Sequence, residues 1–372
     1  MLASAFSVFA LAAMAFASPY PTRPVCKELT IPVTVNVQRF IIDAAIHDNW
    51  DAVALSLNLT RRDFTNSTDD PLPVVGNTAG PVESTFKVGA TLCGTGGPTL
   101  ILTHGIIESK LYWRPTLDNA ENYSLVDAAL AAGYSVLSYD RIGVGSSSKV
   151  DALSDAQFQV EAAVLDKLVD YVQSTQNATK VALVGHSYGS YLSTASAISK
   201  TTAIDALVLT GFGGGFTYFN PFLAGSAFRV ARLQDPQRWG DLDSGYLTTA
   251  DLFATTYAYF GEEYDFERRV AEWSHNVGGE PFAVGELPSL LASSPLGFDA
   301  VTAPVLVLQG QFDLSACGGN CVGILEPLKT TFSGAKTVEI VDNLAAGHNL
   351  NLHKVAPQAF DIIFYFLQRQ GV

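Results

Sequence analysis

Val181-Ala182-Leu183-Val184-Gly185-His186-Ser187-Tyr188-Gly189 sets a Gly-x-Ser-x-Gly pentapeptide directly behind an aliphatic run, and a helix-compatible stretch, Tyr191 to Ile198, follows it. A strand that gives way to a helix through so tight a bend holds the serine backbone in a strained conformation, and flanking glycines lack the Cβ atoms that would collide across the turn. The hydroxyl is left projecting into a cleft. The bland alternative is a glycine-rich turn with a surface serine, and the strand in front is what favours the strained turn.

Working outward, similar short runs recur at Pro98 to Leu102, Tyr134 to Tyr139, Ala206 to Thr210, Val305 to Leu308 and Thr337 to Val341. Most are nearly continuous in apolar residues, which is how strands of a parallel sheet covered on both faces read. Between them lie helical patterns, clearest in Ala156 to Gln173, where Val160, Val164, Leu168 and Val172 make one apolar stripe. The fold class is therefore α/β, a mostly parallel sheet with helices on both faces. Val33 to Ile42 and Ser84 to Cys93 read as extra antiparallel strands at the amino-terminal edge. From Gly211 to about Ala303 the alternation stops, and aromatic, helical sequence without evident strands predicts an insertion.

A serine hydroxyl is a poor nucleophile and needs a base in hydrogen-bond reach, itself oriented by an acid. Asp313 lies just beyond the strand Val305 to Leu308, and His348 lies in the loop after the next strand, in Leu344-Ala-Ala-Gly-His348. These are the predicted catalytic partners of Ser187. Asp342 sits too near its own strand to be preferred, His186 should point away from the serine, and His353 is predicted in the final helix. Thr103-His104-Gly105-Ile106-Ile107 follows the strand Pro98 to Leu102. The backbone N–H groups of Ile106 and Tyr188 are the expected oxyanion donors, with His104 a loop anchor.

The chain resembles the α/β-hydrolase superfamily, since His104-Gly105, Asp140-Arg-Ile-Gly143-Val-Gly145-Ser146, Gly185-His-Ser-Tyr-Gly189, Gln309-Gly-Gln-Phe-Asp313 and Gly347-His348 fall in family order. Its amino-terminal part is similar to that of secreted fungal members. The resemblance implies that the insertion, 212–303, is a helical lid after the sixth strand, dividing the hydrolase core into 18–211 and 304–372. It also implies a structural role for the Asp140 to Ser146 loop. Ile106 and Ile107 stand where one esterase branch carries glycines, which disfavours esters of bulky tertiary alcohols. Epoxide hydrolases and dehalogenases carry aspartate at the nucleophile position, so Ser187 argues against both. Hydroxynitrile lyases and cofactor-free haloperoxidases share the serine elbow.

Composition narrows the setting. The chain has 372 residues, 48% of them hydrophobic and only 16% charged, with a formal charge of -14. It has the profile of a folded protein, and its negative surface repels phosphate backbones and anionic lipid heads, so nucleic acid is not an expected partner. Residues 1–17 form an apolar run ending in Ala15-Phe16-Ala17, read as a signal peptide too short for stable membrane insertion. Four cysteines then suit two disulfides. Cys26 with Cys93 and Cys317 with Cys321 is the favoured pairing, because Gly-Gly-Asn between the latter two brings the sulfurs together. Asn58, Asn66, Asn122 and Asn177 begin glycosylation sequons, and a secreted, extracellular protein is expected. No Cys and His cluster has metal-ligand spacing, and the chemistry requires no cofactor.

The expected reaction is hydrolysis of a small-molecule ester or lactone through an acyl-enzyme on Ser187, with activity falling below about pH 6 on an unperturbed histidine base. Phe212, Phe216, Tyr218, Phe219, Phe222, Tyr246, Tyr257, Tyr259, Phe260 and Trp273 suggest an apolar or aromatic substrate group, although most such rings pack a core. Two other readings stay open. An aminopeptidase-like amide hydrolase would use Glu262, Glu263 or Glu280 to bind a free amine, and a non-catalytic protein would bind ligand on the same scaffold.

Overall fold

Segments that read as apolar on both faces form the centre of the sheet. The computed structural model describes residues 26–60 and 72–372. The expected leader 1–17 and Asn66 lie outside the described residues. The main sheet comprises β1 (Cys26–Val37), β2 (Val82–Cys93), β3 (Gly97–Thr103), β4 (Ser135–Tyr139), β5 (Ala178–His186), β6 (Ala206–Thr210), β7 (Val305–Gly310) and β8 (Val338–Leu344). Their spatial order is β1-β2-β4-β3-β5-β6-β7-β8. β2 runs antiparallel to β1 and to β4, and every pairing from β4 through β8 is parallel.

Burial explains the ladder. Every residue of β4, β6 and β7 is buried, whereas β1 turns Ile31, Val33 and Val35 inward and alternates with exposed neighbours, as an antiparallel edge strand must. The strand predicted over Val33 to Ile42 is broken in two. Arg39, buried between Asp155 and Ser84, takes the chain out of the main sheet, and Phe40–Ile42 pairs instead with Val74–Asn77. Cys26 faces Cys93 across β1 and β2, and the two form one disulfide while Cys317 and Cys321 form the other.

Helices α1 (Asn49–Thr60), α2 (Leu125–Ala131), α3 (Phe158–Thr175) and α4 (Tyr188–Ser199) precede the insertion. On one face of the sheet α3 packs against α4. The stripe of Val160, Val164, Leu168 and Val172 is at most 2% exposed, and each such side chain contributes about 1.5–3 kcal/mol by leaving water. The other face carries α2 and the last helix, where Tyr134 stacks on Phe364.

The insertion follows β6, the sixth strand of the main sheet, and returns at β7. Its main helices are α5 (Phe219–Ser226), α6 (Leu252–Tyr259) and α7 (Glu286–Ala292), and α8 (Ala356–Arg369) closes the chain. It is not purely helical. Arg229–Val230, Tyr246–Thr248 and Phe282–Ala283 form a small antiparallel sheet, with elements too short to leave a periodic trace in sequence. Helix α1 joins this layer, since Asn49 Oδ1 accepts the N–H of Val230 at 2.9 Å. Among the described residues no helix is long and apolar enough to cross a membrane. Asn58, Asn122 and Asn177 are exposed.

Candidate active site

Ser187 sits between the end of β5 and the start of α4 with φ 53° and ψ −123°, a left-handed conformation that a serine adopts only when its surroundings impose it. Its N–H donates to Thr210 O at 2.8 Å, tying the turn to β6. The turn also needs bare backbone behind it. A Cβ on Gly189 would come within 2.1 Å of Thr103 O, so a side chain there would push α4 away from β3.

His348 and Asp313 arrive from the ends of β8 and β7 and meet: His348 Nδ1 lies 2.8 Å from Asp313 Oδ2. Gln309 Nε2 donates to the same oxygen at 2.8 Å, and the N–H of Ala316 to Oδ1 at 2.8 Å, so the carboxylate is locked in plane. Burial opposes its charge, but His348 and the Ala316 N–H outweigh burial and hold Asp313 below the ordinary carboxylate value. For His348 the balance is likewise against burial. The paired Asp313 and the nearby Glu108 keep its imidazole above the ordinary histidine value. That is higher than the unperturbed base expected from sequence.

His348 Nε2 is buried and has no hydrogen-bond partner among the described residues. Gly211 marks how near it lies to the serine. A Cβ at Gly211, where φ is +60°, would stand 2.9 Å from His348 Cε1 and 3.0 Å from Ser187 N. The histidine loop is anchored from behind. His353, just before α8 rather than in it, accepts N–H groups of Gly261 and Gly347 on Nε2 at 2.9 and 3.1 Å, and burial lowers it to about 4.

Ile106 and Tyr188 are both buried beside Ser187, and neither backbone N–H has a hydrogen-bond partner among the described residues. His104 is an anchor, as expected: Nδ1 donates to Gly105 O at 2.8 Å, and Nε2 accepts the N–H of Arg141 at 3.1 Å. Burial and Arg141 hold it well below the ordinary histidine value, which leaves it neutral. In the Asp140 to Ser146 loop, Asp140 accepts N–H groups of Lys110 and Ser146 at 2.9 Å each, a structural role. His186 turns from the serine toward Thr210 Oγ1, 2.9 Å away, and stacks on Tyr112.

Two features escaped the sequence reading. Buried Glu108 accepts the N–H of Gly105 at 2.8 Å and stands 3.4 Å from His186 Nε2. Arg141, 1% exposed, lies between Glu161 at 2.9 Å and Glu286 of α7 at 2.8 Å. Burial disfavours its charge, but the two carboxylates outweigh burial and raise it. Glu161 is pushed up to about 8 by burial, against Arg141 and with help from Glu286. A lone glutamate or arginine in a sequence carries no mark that it is buried.

The space in front of Ser187 is a cavity of about 30 Å³ lined by Ile106, Tyr191, Phe216, Phe219, Phe222 and Leu287, among others. Other aromatic residues of the insertion are structural: Tyr246 donates to Val150 O at 2.9 Å and Trp273 to Thr116 Oγ1 at 3.2 Å. Tyr259 and Phe222 both pack on His348, with ring centres 5.5 Å away. Glu262, Glu263 and Glu280 do not line this cavity; Glu263 pairs with Arg268, and Glu280 accepts from Trp239 at 3.1 Å. Among the described residues no His, Cys, Asp and Glu group could hold a metal ion.

Known proteins agree with this architecture. A thermophilic esterase from Thermogutta terrifontis superposes with a TM-score of 0.54 at 19% identity, covering 77% of this chain and 95% of the esterase. A bromoperoxidase from Bacillus anthracis gives 0.55 at 18% identity, covering 77% and 96%. In sequence, a 1-acylglycerol-3-phosphate O-acyltransferase from Arabidopsis thaliana is 29% identical over 119 residues, 32% of this chain and 26% of the plant protein. Residues 100–359, from β3 into α8, match the model of the alpha/beta hydrolase family, and the chain belongs to that family.

Proposed function

We propose that this protein is a secreted serine hydrolase that cleaves a carboxylic ester or lactone through an acyl-enzyme on Ser187. The observation that carries the reading is the Asp313–His348 hydrogen bond, which leaves His348 Nε2 buried beside the elbow serine and without a partner among the described residues. Ser187 Oγ attacks the carbonyl carbon and its proton passes to Nε2. The N–H groups of Ile106 and Tyr188 stabilise the oxyanion. Collapse breaks the bond to the alkoxide, which takes the proton from His348 and leaves as an alcohol. Water then attacks the acyl-enzyme, giving a proton to the same nitrogen, and the acid departs as Ser187 is reprotonated.

The insertion serves as the lid, and Phe216, Phe219 and Phe222 favour an apolar acyl group of modest size. Secretion and glycosylation at Asn58, Asn66, Asn122 and Asn177 belong to the same proposal, supported by the exposure of the three acceptors that are described. A fluorophosphonate probe should label the folded protein and not the Ser187→Ala variant, whose turnover should fall by on the order of 10⁴–10⁶-fold. Folded protein that resists the probe would favour ligand binding without catalysis. A panel of p-nitrophenyl esters of graded chain length, lactones and aminoacyl anilides then identifies the substrate, and turnover of anilides alone would replace the esterase reading with an amide hydrolase.

A further inference from the structure

A peptide group is planar and trans, so the N–H of one residue points opposite to the carbonyl of the residue before it. The direction of the Ile106 N–H is therefore set by whatever holds Gly105 O. Two donors hold it: His104 Nδ1 at 2.8 Å and Arg141 Nη2 at 3.3 Å. The same guanidinium lies over the ring of Tyr188, 4.6 Å from its centre. One buried arginine thus touches the peptide group that carries the Ile106 N–H and the side chain of Tyr188, whose N–H is the second proposed oxyanion donor. Its own position depends on two carboxylates from different layers, Glu161 on α3 and Glu286 on α7 of the insertion.

From this geometry we infer that Arg141 is the positioning residue of the oxyanion hole, and that Glu286 makes this positioning depend on the seating of the insertion. The inference rests on the acyl-enzyme reading. The seating itself is well defined: Glu286 also accepts the N–H of Ala283 at 3.0 Å, and Ser289 of α7 accepts the N–H of Phe158, the first residue of α3, at 2.8 Å. A planar fork can reach Gly105 O, two carboxylates and a ring face at once, whereas an ammonium cannot. Arg141→Lys therefore keeps the buried charge and loses the alignment. Glu286→Gln keeps the shape and weakens the link to the insertion.

The test uses the full chain, an ester it turns over, and a trifluoromethyl ketone that adds to Ser187 to give an oxyanion. Removing an oxyanion donor outright costs about 10²–10³-fold in kcat, so misaligning one should cost about 10-fold or more. Arg141→Lys should lower kcat by that factor with KM within about twofold, and weaken the ketone in proportion. Glu286→Gln should do the same to a smaller degree. Wild-type kcat and ketone affinity in either folded variant would overturn the inference, as would equal losses for the ketone and for the product alcohol, which carries no oxyanion. If Arg141→Lys does not fold, Glu286→Gln alone decides. A wild-type protein that fluorophosphonate does not label fails the serine reading, whereas a labelled protein with indifferent variants fails only this inference.

Discussion

Floor and roof of the cavity are held by different means. The floor is Ser187, backed by His348 and Asp313, and the three come from the carboxyl ends of β5, β8 and β7, each fixed to strands whose ladders continue through the molecule. The roof, from α5 to α7, rests on ring contacts such as Phe222 with Tyr259 and His348 and on the Arg141 charge cluster, with a small sheet of two- and three-residue strands. Main-chain ladders fix positions to a fraction of an ångström, which proton transfer demands. Aromatic packing tolerates exchange of one ring for another aliphatic group, which is what selection among substrates demands. Under the proposed function the floor sets the reaction type and the roof sets the choice of substrate.

The sharpest way to break this division is to alter the floor without altering its shape. Asp313→Asn keeps the side-chain volume, but with its oxygen held by the Ala316 N–H it turns an amide N–H donor toward the His348 nitrogen that must carry a proton in the proposed mechanism, so His348 is held in the wrong tautomer. We expect kcat to fall by about 10⁴-fold while a non-covalent product acid binds as before. A fall of less than tenfold would show that another acid orients His348, and Glu108 would be the residue to examine.

Next in size are changes to the roof. Phe222→Ala opens the cavity between the serine and α5, and should move the preferred acyl chain to greater length, with kcat/KM for the longer esters rising about tenfold over the shorter ones. Ester chain-length profiles of wild type and variant check this. If kcat for every ester collapses equally, Phe222 belongs to the floor, through its contact with His348, and the division is drawn in the wrong place.

This difference also explains how much was legible in advance. Strands of the floor were visible because a strand buried on both faces must be apolar along its whole length, as in Ala206–Thr210 and Val305–Gly310. The Gly-x-Ser-x-Gly turn is local, so its geometry is written in five consecutive residues. The roof's strands were not visible, since Arg229–Val230 has no period to detect. Helix α1 did carry a signal in Ala52, Leu55 and Leu59, all buried, which a search for helical spacing would find. The roles of Glu108 and Arg141 were beyond reach, because their partners lie on other elements and only the fold brings them together.

The pH dependence of catalysis gives a smaller, directional test. In the proposed mechanism His348 acts as a base only when neutral, and its value is raised above 6.5, so kcat/KM should fall as pH drops through a value above 6.5 rather than below about 6. A pH-rate profile checks this, and a half-maximal point below 6 would mean that Asp313 does not stabilise the imidazolium.

The smallest effect falls where floor and roof meet, and it concerns stability. Two carboxylates face one guanidinium in the buried cluster, so ionising both leaves an uncompensated negative charge. Glu161 has a folded value of about 8 against an ordinary 4.5. A carboxyl raised in this way favours the folded state fully below 4.5, and that contribution disappears as pH rises through about 8. Between those limits wild type should lose thermal stability that Glu161→Gln retains, because Gln removes the surplus charge and leaves Arg141 paired with Glu286 alone. The expected gap is about 2–4 °C in Tm at pH 8.5, closing at pH 5. Melting curves for both proteins at the two pH values decide it. A gap that is equal at both would mean that the cluster holds the roof by shape and hydrogen bonding, with its net charge making no contribution.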